Sequence, residues 1–226
     1  MGLIKIVMLA TIGMFGFQSG AESLGDASRV SISGPIEVRL SFGEMATASF
    51  DASAIQVQRS GDSIAFSSSR PAELHLRLNQ LEALEIDGGH LLIKLEGSER
   101  LRLGRVIAPD IRVSLLERAR LESDQVQVQL LQISLSDQGK AALLNVEADI
   151  LELQLTDHSD IELSGETREQ DIDIRGYSHY DGAELKSEQA TVALDDYAAG
   201  YIQARQTPSI KSAPFASLSA RLTKQS

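Results

Sequence analysis

The sequence predicts an all-β chain folded as a single parallel β-helix, a solenoid whose rungs are about 20 residues long. Three observations predict it. Ile111, Leu131, Leu151, Ile172 and Val192 each open an apolar/polar alternating run, at steps of 20, 20, 21 and 20 residues, and Val106, Val126 and Val146 keep the same step. A fixed period of this size marks stacked units, each too small to bury a core alone. Within each run the alternation has period two, which puts apolar side chains on one face of a strand. Between runs stand short polar turns, such as Asp137-Gln138-Gly139 and Asp157-His158-Ser159-Asp160, with no two-residue hairpin signal among them. At about 3.3 Å per residue a rung measures roughly 65 Å around, which suits one small coil and is long for a hairpin. A right-handed coil is the default for parallel crossovers. A β-sandwich is the competing all-β arrangement, and the constant period argues against it.

Taken in order, residues 1–21 read as a secretory leader. Lys5 supplies the positive start, residues 6–17 the apolar core, and Ser19-Gly20-Ala21 a small-residue cleavage site after Ala21. The apolar core is shorter than the roughly 20 residues a membrane span needs, so no span is expected after cleavage. Residues 22–70 carry strand patterns around Ser33-Gly34-Pro35 and a hairpin signal at Ser60-Gly61-Asp62, and they are expected to lead into or cap the solenoid. Residues 71–207 are the expected β-helix, with Leu91 standing 20 residues before Ile111. Residues 208–226, with Pro208, Ile210, Pro214, Phe215, Leu218 and Leu222, form a basic tail suited to cap the open end.

The chain has 226 residues and a formal charge of −11, with no cysteine and no tryptophan. Without cysteine neither a disulfide nor a lipid-modified cysteine is possible, so packing alone holds the fold. The acidic balance excludes nucleic acid as a partner, because phosphates demand clustered Lys and Arg. All 32 acidic residues lie at or before Asp196, whereas Arg205, Lys211, Arg221 and Lys224 follow it. The tail is therefore complementary to the acidic body.

The strands VSISGPIEVRLSF and IQVQRSGDSIAF lead into LHLRLNQLEALEIDGGHLLIKL and then into rungs that contain IELSGE and YSHYDGAEL. Over about residues 28–207 this pattern resembles the bacterial family of auto-transporter adhesin head GIN domains. The resemblance implies a secreted parallel β-helix with an adhesin-like role and carries no catalytic residue across. The small Ser-Gly turns typical of that family are replaced here by DQG, DHSD, SHYDG and DYAAG.

Reactive side chains concentrate on the later turns. Asp157, His158 and Asp160 lie in one rung, Tyr177, His179, Tyr180 and Asp181 in the next, and Asp195, Asp196 and Tyr197 in the last. In register they would form a vertical patch of carboxylates, imidazoles and phenols, able to hydrogen-bond and stack on a sugar. The same residue types are ordinary at exposed β-turns. Their spacing matches no calcium loop, so neither metal nor cofactor is expected. His75 and His90 stand alone and read as structural. The arginines between Arg100 and Arg120 are interspersed with acids and read as a solvated face. Asp157, Asp160, Asp181 and Asp195 are the only acid/base candidates for a polysaccharide lyase or hydrolase. Rungs of uniform length supply no walls for a cleft, so no catalytic residue is expected. The expected function is a secreted or periplasmic binding module for a cell-surface glycan or an envelope protein. An envelope-stress or assembly component that binds a protein is the alternative, and a polysaccharide-degrading enzyme the second.

Overall fold

A computed structural model describes residues 19–222. The leader lies outside them, apart from Ser19–Ala21. Every element among the described residues is a strand, and the strands build a parallel β-solenoid of about seven turns. Five successive long strands, β10 (Arg100–Leu115), β11 (Arg120–Leu135), β12 (Lys140–Leu155), β13 (Asp160–Ile174) and β14 (His179–Leu194), stack in parallel over their whole length.

Each long strand is bent into three sides, and the burial pattern shows where. In β11 the inward residues are Leu121 and Ser123, then Val126 and Val128, then Leu131, Ile133 and Leu135. Two consecutive residues face outward at each bend, so the alternation restarts on a new plane. The runs opened by Ile111, Leu131 and Leu151 are the last side, and Val106, Val126 and Val146 open the middle one. The third corner is a tight turn whose inward position is small: Ala119, Gly139, Ser159, Ser178 and Ala198 follow one another up the stack. The backbone of the neighbouring rung passes close by. A Cβ on Gly139, for example, would stand 3.2 Å from the Leu115 carbonyl oxygen.

The core is a set of aliphatic columns. Ile93, Val113, Ile133, Leu153, Ile172 and Val192 form one; Leu95, Leu115, Leu135, Leu155, Ile174 and Leu194 form its neighbour. The expected column Ile111–Leu131–Leu151–Ile172–Val192 needs correction. Leu151 stands under Gln170, and Ile172 sits on Leu153. The step between these rungs is one residue short instead of one long, because the register shifts between Leu143 and Val146. Gly165 makes the short corner with a φ of +124°, and a Cβ there would lie 2.2 Å from the Val146 carbonyl oxygen. Steps of 19 and 21 both preserve the inward parity, which is why alternation alone could not separate them.

The amino-terminal segment does not simply precede the first rung. Strands β2 (Arg29–Ser33) and β3 (Ile36–Phe42) lie in the stack between two later-arriving pairs. On one side are β6 (Ser63–Ser67) and β7 (Ala72–Leu78); on the other are β8 (Gln80–Asp87) and β9 (His90–Leu95). The outer edge of that first turn is closed by antiparallel strands. β5 (Gln56–Ser60) pairs with β6, β4 (Thr47–Asp51) with β7, and β1 (Ser19–Ser23) with β4. Antiparallel closure covers a row of unpaired backbone groups that would otherwise template aggregation. At the other end β15 (Ala199–Ala204), β16 (Ser209–Ser212) and β17 (Ser217–Leu222) continue the parallel stack, so residues 209–222 form strands of the solenoid.

Candidate functional site

The turn corner that closes each rung carries the candidate site. Its second residue is left-handed in six successive rungs: Gly97, Glu117, Asp137, Asp157, Gly176 and Asp196 have φ between +56° and +74°. Asp tolerates this conformation better than most residues, because its short side chain bonds locally. Asp157 does so, with its Oδ2 accepting the Asp137 N–H at 3.4 Å and the Thr156 hydroxyl at 3.1 Å. Asp137 repeats the arrangement one rung below, accepting the Glu117 N–H at 3.3 Å. These carboxylates are parts of the turn.

The third turn residue points outward, and its backbone fixes its height. The N–H groups of His158, Tyr177 and Tyr197 donate to the carbonyls of Asp137, Asp157 and Gly176 in the rung below, at 2.8, 2.6 and 3.0 Å. The side chains consequently stack. His158 lies on Tyr177 with centroids 5.2 Å apart, Tyr177 on Tyr197 at 5.0 Å, and Tyr197 on Phe215 at 5.4 Å, at interplanar angles of 16°, 5° and 21°. The four rings make one continuous ladder on an outer edge, and Tyr177, Tyr197 and Phe215 remain 61%, 53% and 71% exposed. Beneath it the buried hydroxyls of Ser159 and Ser178 meet at 3.1 Å, and Ser159 also donates to the Thr156 carbonyl at 3.0 Å.

The remaining expected site residues part company. Asp160, His179 and Asp181 lie around the corner, on the adjoining face. There Asp160 pairs with Lys140 at 2.8 Å, Asp181 accepts the Ala183 N–H at 3.1 Å, and His179 meets Tyr201 edge-on at 5.8 Å. Asp195 caps its own turn, accepting the Asp196 N–H at 2.9 Å.

Tyr180 is a correction: it is fully buried and belongs to the core. It takes the inward place held by Ile161 below it, and Gly182 leaves room for the ring, since a Cβ there would collide with the phenol. Its hydroxyl donates to Gln170 Oε1 at 3.0 Å. Burial, with the Asp181 charge adding to it, pushes the phenol far above the ordinary tyrosine range. Gln170 occupies a place that is leucine in the two rungs below, and its Nε2 has no partner.

Sequence reasoning missed Phe215 and Tyr201 as site residues. Tyr201 stands 20 residues after Asp181, a signal the period could have yielded. Phe215 follows Tyr197 by only 18, because the last rung is short. Elsewhere, His90 Nδ1 lies 2.7 Å from Asp110 and His75 3.7 Å from Glu73, both at the surface. Among the described residues no three His, Asp or Glu side chains converge to hold a metal, and no helix is long and apolar enough to cross a membrane.

Rungs stacked in parallel, a closed first turn and a ring-bearing outer edge define a β-solenoid that displays a surface. More particularly, the chain belongs to the family described as "Putative auto-transporter adhesin, head GIN domain", whose model matches residues 77–213, more than half of its length. Solved structures resemble it at low identity. One is a putative adhesin from Parabacteroides distasonis (11% identity, TM-score 0.45, covering 89% of this chain and 95% of that one). Another is a putative adhesin from Parabacteroides merdae (10%, 0.46, 92% and 97%). A third, from P. distasonis, is named a putative lipid binding protein (12%, 0.38, 91% and 94%). No curated protein matches the chain.

Proposed function

We propose that the protein is a non-enzymatic, adhesin-like binding module of the bacterial envelope, periplasmic or extracellular, and that it holds a partner protein through its aromatic edge. The ladder carries this reading. Four rings in contact, most of them more than half exposed, are an unusual use of surface unless something covers them. Stacking hides the faces of Tyr177 and Tyr197 between their neighbours. They therefore offer a partner their edges and hydroxyls, which fits a protein surface better than the CH face of a sugar ring. Tyrosine held rigid before binding loses little conformational freedom on contact, the quality that makes it a frequent hot spot.

Two further observations support the reading. The acid/base candidates Asp157, Asp160, Asp181 and Asp195 are each engaged by a backbone N–H or by Lys140. The leader-like residues 1–21 and membership of an adhesin family favour export to the envelope. The test is binding of the purified protein to immobilised envelope fractions, untreated, protease-treated or periodate-treated. Binding that is lost on protease treatment and survives periodate is expected. Loss on periodate alone would assign the edge to a glycan.

A further inference from the structure

A concavity lies away from the ladder, along the middle side of the rungs and its bend into the last side. It runs parallel to the solenoid axis from Ile107 to Arg205 and encloses about 660 Å3. Five rung steps of roughly 4.8 Å give it a length of about 24 Å. That is the shape of a seat for a linear polymer.

Its chemistry changes along its length. The half nearer the amino terminus has two half-buried apolar side chains, Ile107 and Pro109, with the exposed Gln127 and Gln129 in the next rung. The other half bears charges that neutralise one another between rungs: Arg168 with Asp149 at 3.9 Å, Lys186 with Glu166 at 3.4 Å, and Arg205 with Glu188 at 3.7 Å. Exposed pairs of this kind leave little net field to select an ionic ligand. Among the described residues the free recognition groups are the two amides and the Glu147 carboxylate beside them. The Gln132 amide is bonded to Glu152, but those of Gln127 and Gln129 make no hydrogen bond among the described residues. Each amide offers two donors and an acceptor, and they adjoin the apolar surfaces of Ile107 and Pro109 in the neighbouring rung. Neutral amides beside an apolar floor match a ring that alternates hydroxyl edges with CH faces.

We propose that this groove binds a linear, uncharged oligosaccharide, with Gln127 and Gln129 hydrogen-bonding its hydroxyls beside the apolar surfaces of Ile107 and Pro109. It is independent of the aromatic edge and would let one module hold a protein and a glycan at once. Isothermal titration of the full chain with cellohexaose, maltohexaose and chitohexaose, and with a heparin hexasaccharide as the charged probe, tests it. At least one neutral hexasaccharide should bind more tightly than the charged one. Gln127→Ala with Gln129→Ala should weaken it about tenfold or more. The shape-preserving pair Gln127→Glu and Gln129→Glu should do the same, with circular dichroism confirming the fold of both, and Tyr177→Ala with Tyr197→Ala should leave affinity unchanged. The proposal is overturned if no neutral hexasaccharide binds, if both folded glutamine variants bind as the parent does, or if affinity follows the tyrosines instead.

Discussion

Tyr180 and Gln170 form a buried polar pair inside an otherwise aliphatic core, and their energetics can be worked out in order. Tyr180→Phe keeps the ring and removes the hydroxyl that reaches Gln170 Oε1 at 3.0 Å. The whole Gln170 amide is then left unpaired, since its Nε2 already lacks a partner. An orphaned buried polar group costs about 1–3 kcal/mol, and this variant should fall in the upper half of that range. Gln170→Leu orphans the tyrosine hydroxyl but also removes the unpaired Nε2, so its cost should be smaller, at most about 1 kcal/mol. Leucine already fills this column at Leu131 and Leu151, so the space accepts it. The double variant has no orphan left and should equal or exceed the parent in stability. Equilibrium urea unfolding followed by far-UV circular dichroism measures all four proteins, and equal m-values make the comparison valid. The reasoning is refuted if Tyr180→Phe costs less than about 0.5 kcal/mol, or if the double variant is as unstable as the sum of the singles.

Three other outcomes follow from the same structure. Because the buried Tyr180 phenol stays protonated well above the ordinary value of about 10, the unfolded chain releases a proton there that the folded chain keeps. Its contribution is intact below about pH 10 and is lost above it, at about 1.4 kcal/mol per pH unit; Tyr180→Phe should flatten that alkaline slope in urea titrations. Gly165→Ala places a Cβ 2.2 Å from the Val146 carbonyl at a φ of +124°, and should destabilise by at least about 3 kcal/mol, seen as a large drop in urea midpoint. The short rung can be checked by oxidation, since the chain has no cysteine of its own. Cysteines at Glu152 and Asp171 face each other across neighbouring strands, roughly 4.8 Å apart, and should cross-link. Cysteines at Glu152 and Asp173, offset by two residues to roughly 8 Å, should not.

The solenoid was legible because the rung is written twice, once as a period and once as alternation. Both signals come from the same requirement, that each inward side chain find another above and below it. The 19-residue step was not legible, because it is made at a corner where Asn145 and Gly165 both take positive φ, and neither residue marks a register change locally. The place of β2 and β3 between later strands was hidden for a related reason: VSISGPIEVRLSF has the pattern of any rung, and pattern says nothing about stacking order. At the site, the turn positions of His158, Tyr177 and Tyr197 followed from the period. Tyr180, three residues on from Tyr177, was read as part of the same exposed patch. The strand begins at His179, and its alternation sends the next residue into the core. The carboxylates looked reactive because Asp serves both chemistry and left-handed turns, and only the geometry of Asp157 and Asp137 separates the two uses.

The most direct measurement of the functional claim compares the parent protein with Tyr177→Ala/Tyr197→Ala in binding to immobilised envelope fractions, with circular dichroism confirming that both are folded. Removing two rings from the centre of the ladder should weaken binding about 30-fold or more, the effect of losing roughly 2 kcal/mol of hot-spot contact. A folded double variant that binds as tightly as the parent would contradict the assignment of the aromatic edge as the binding surface.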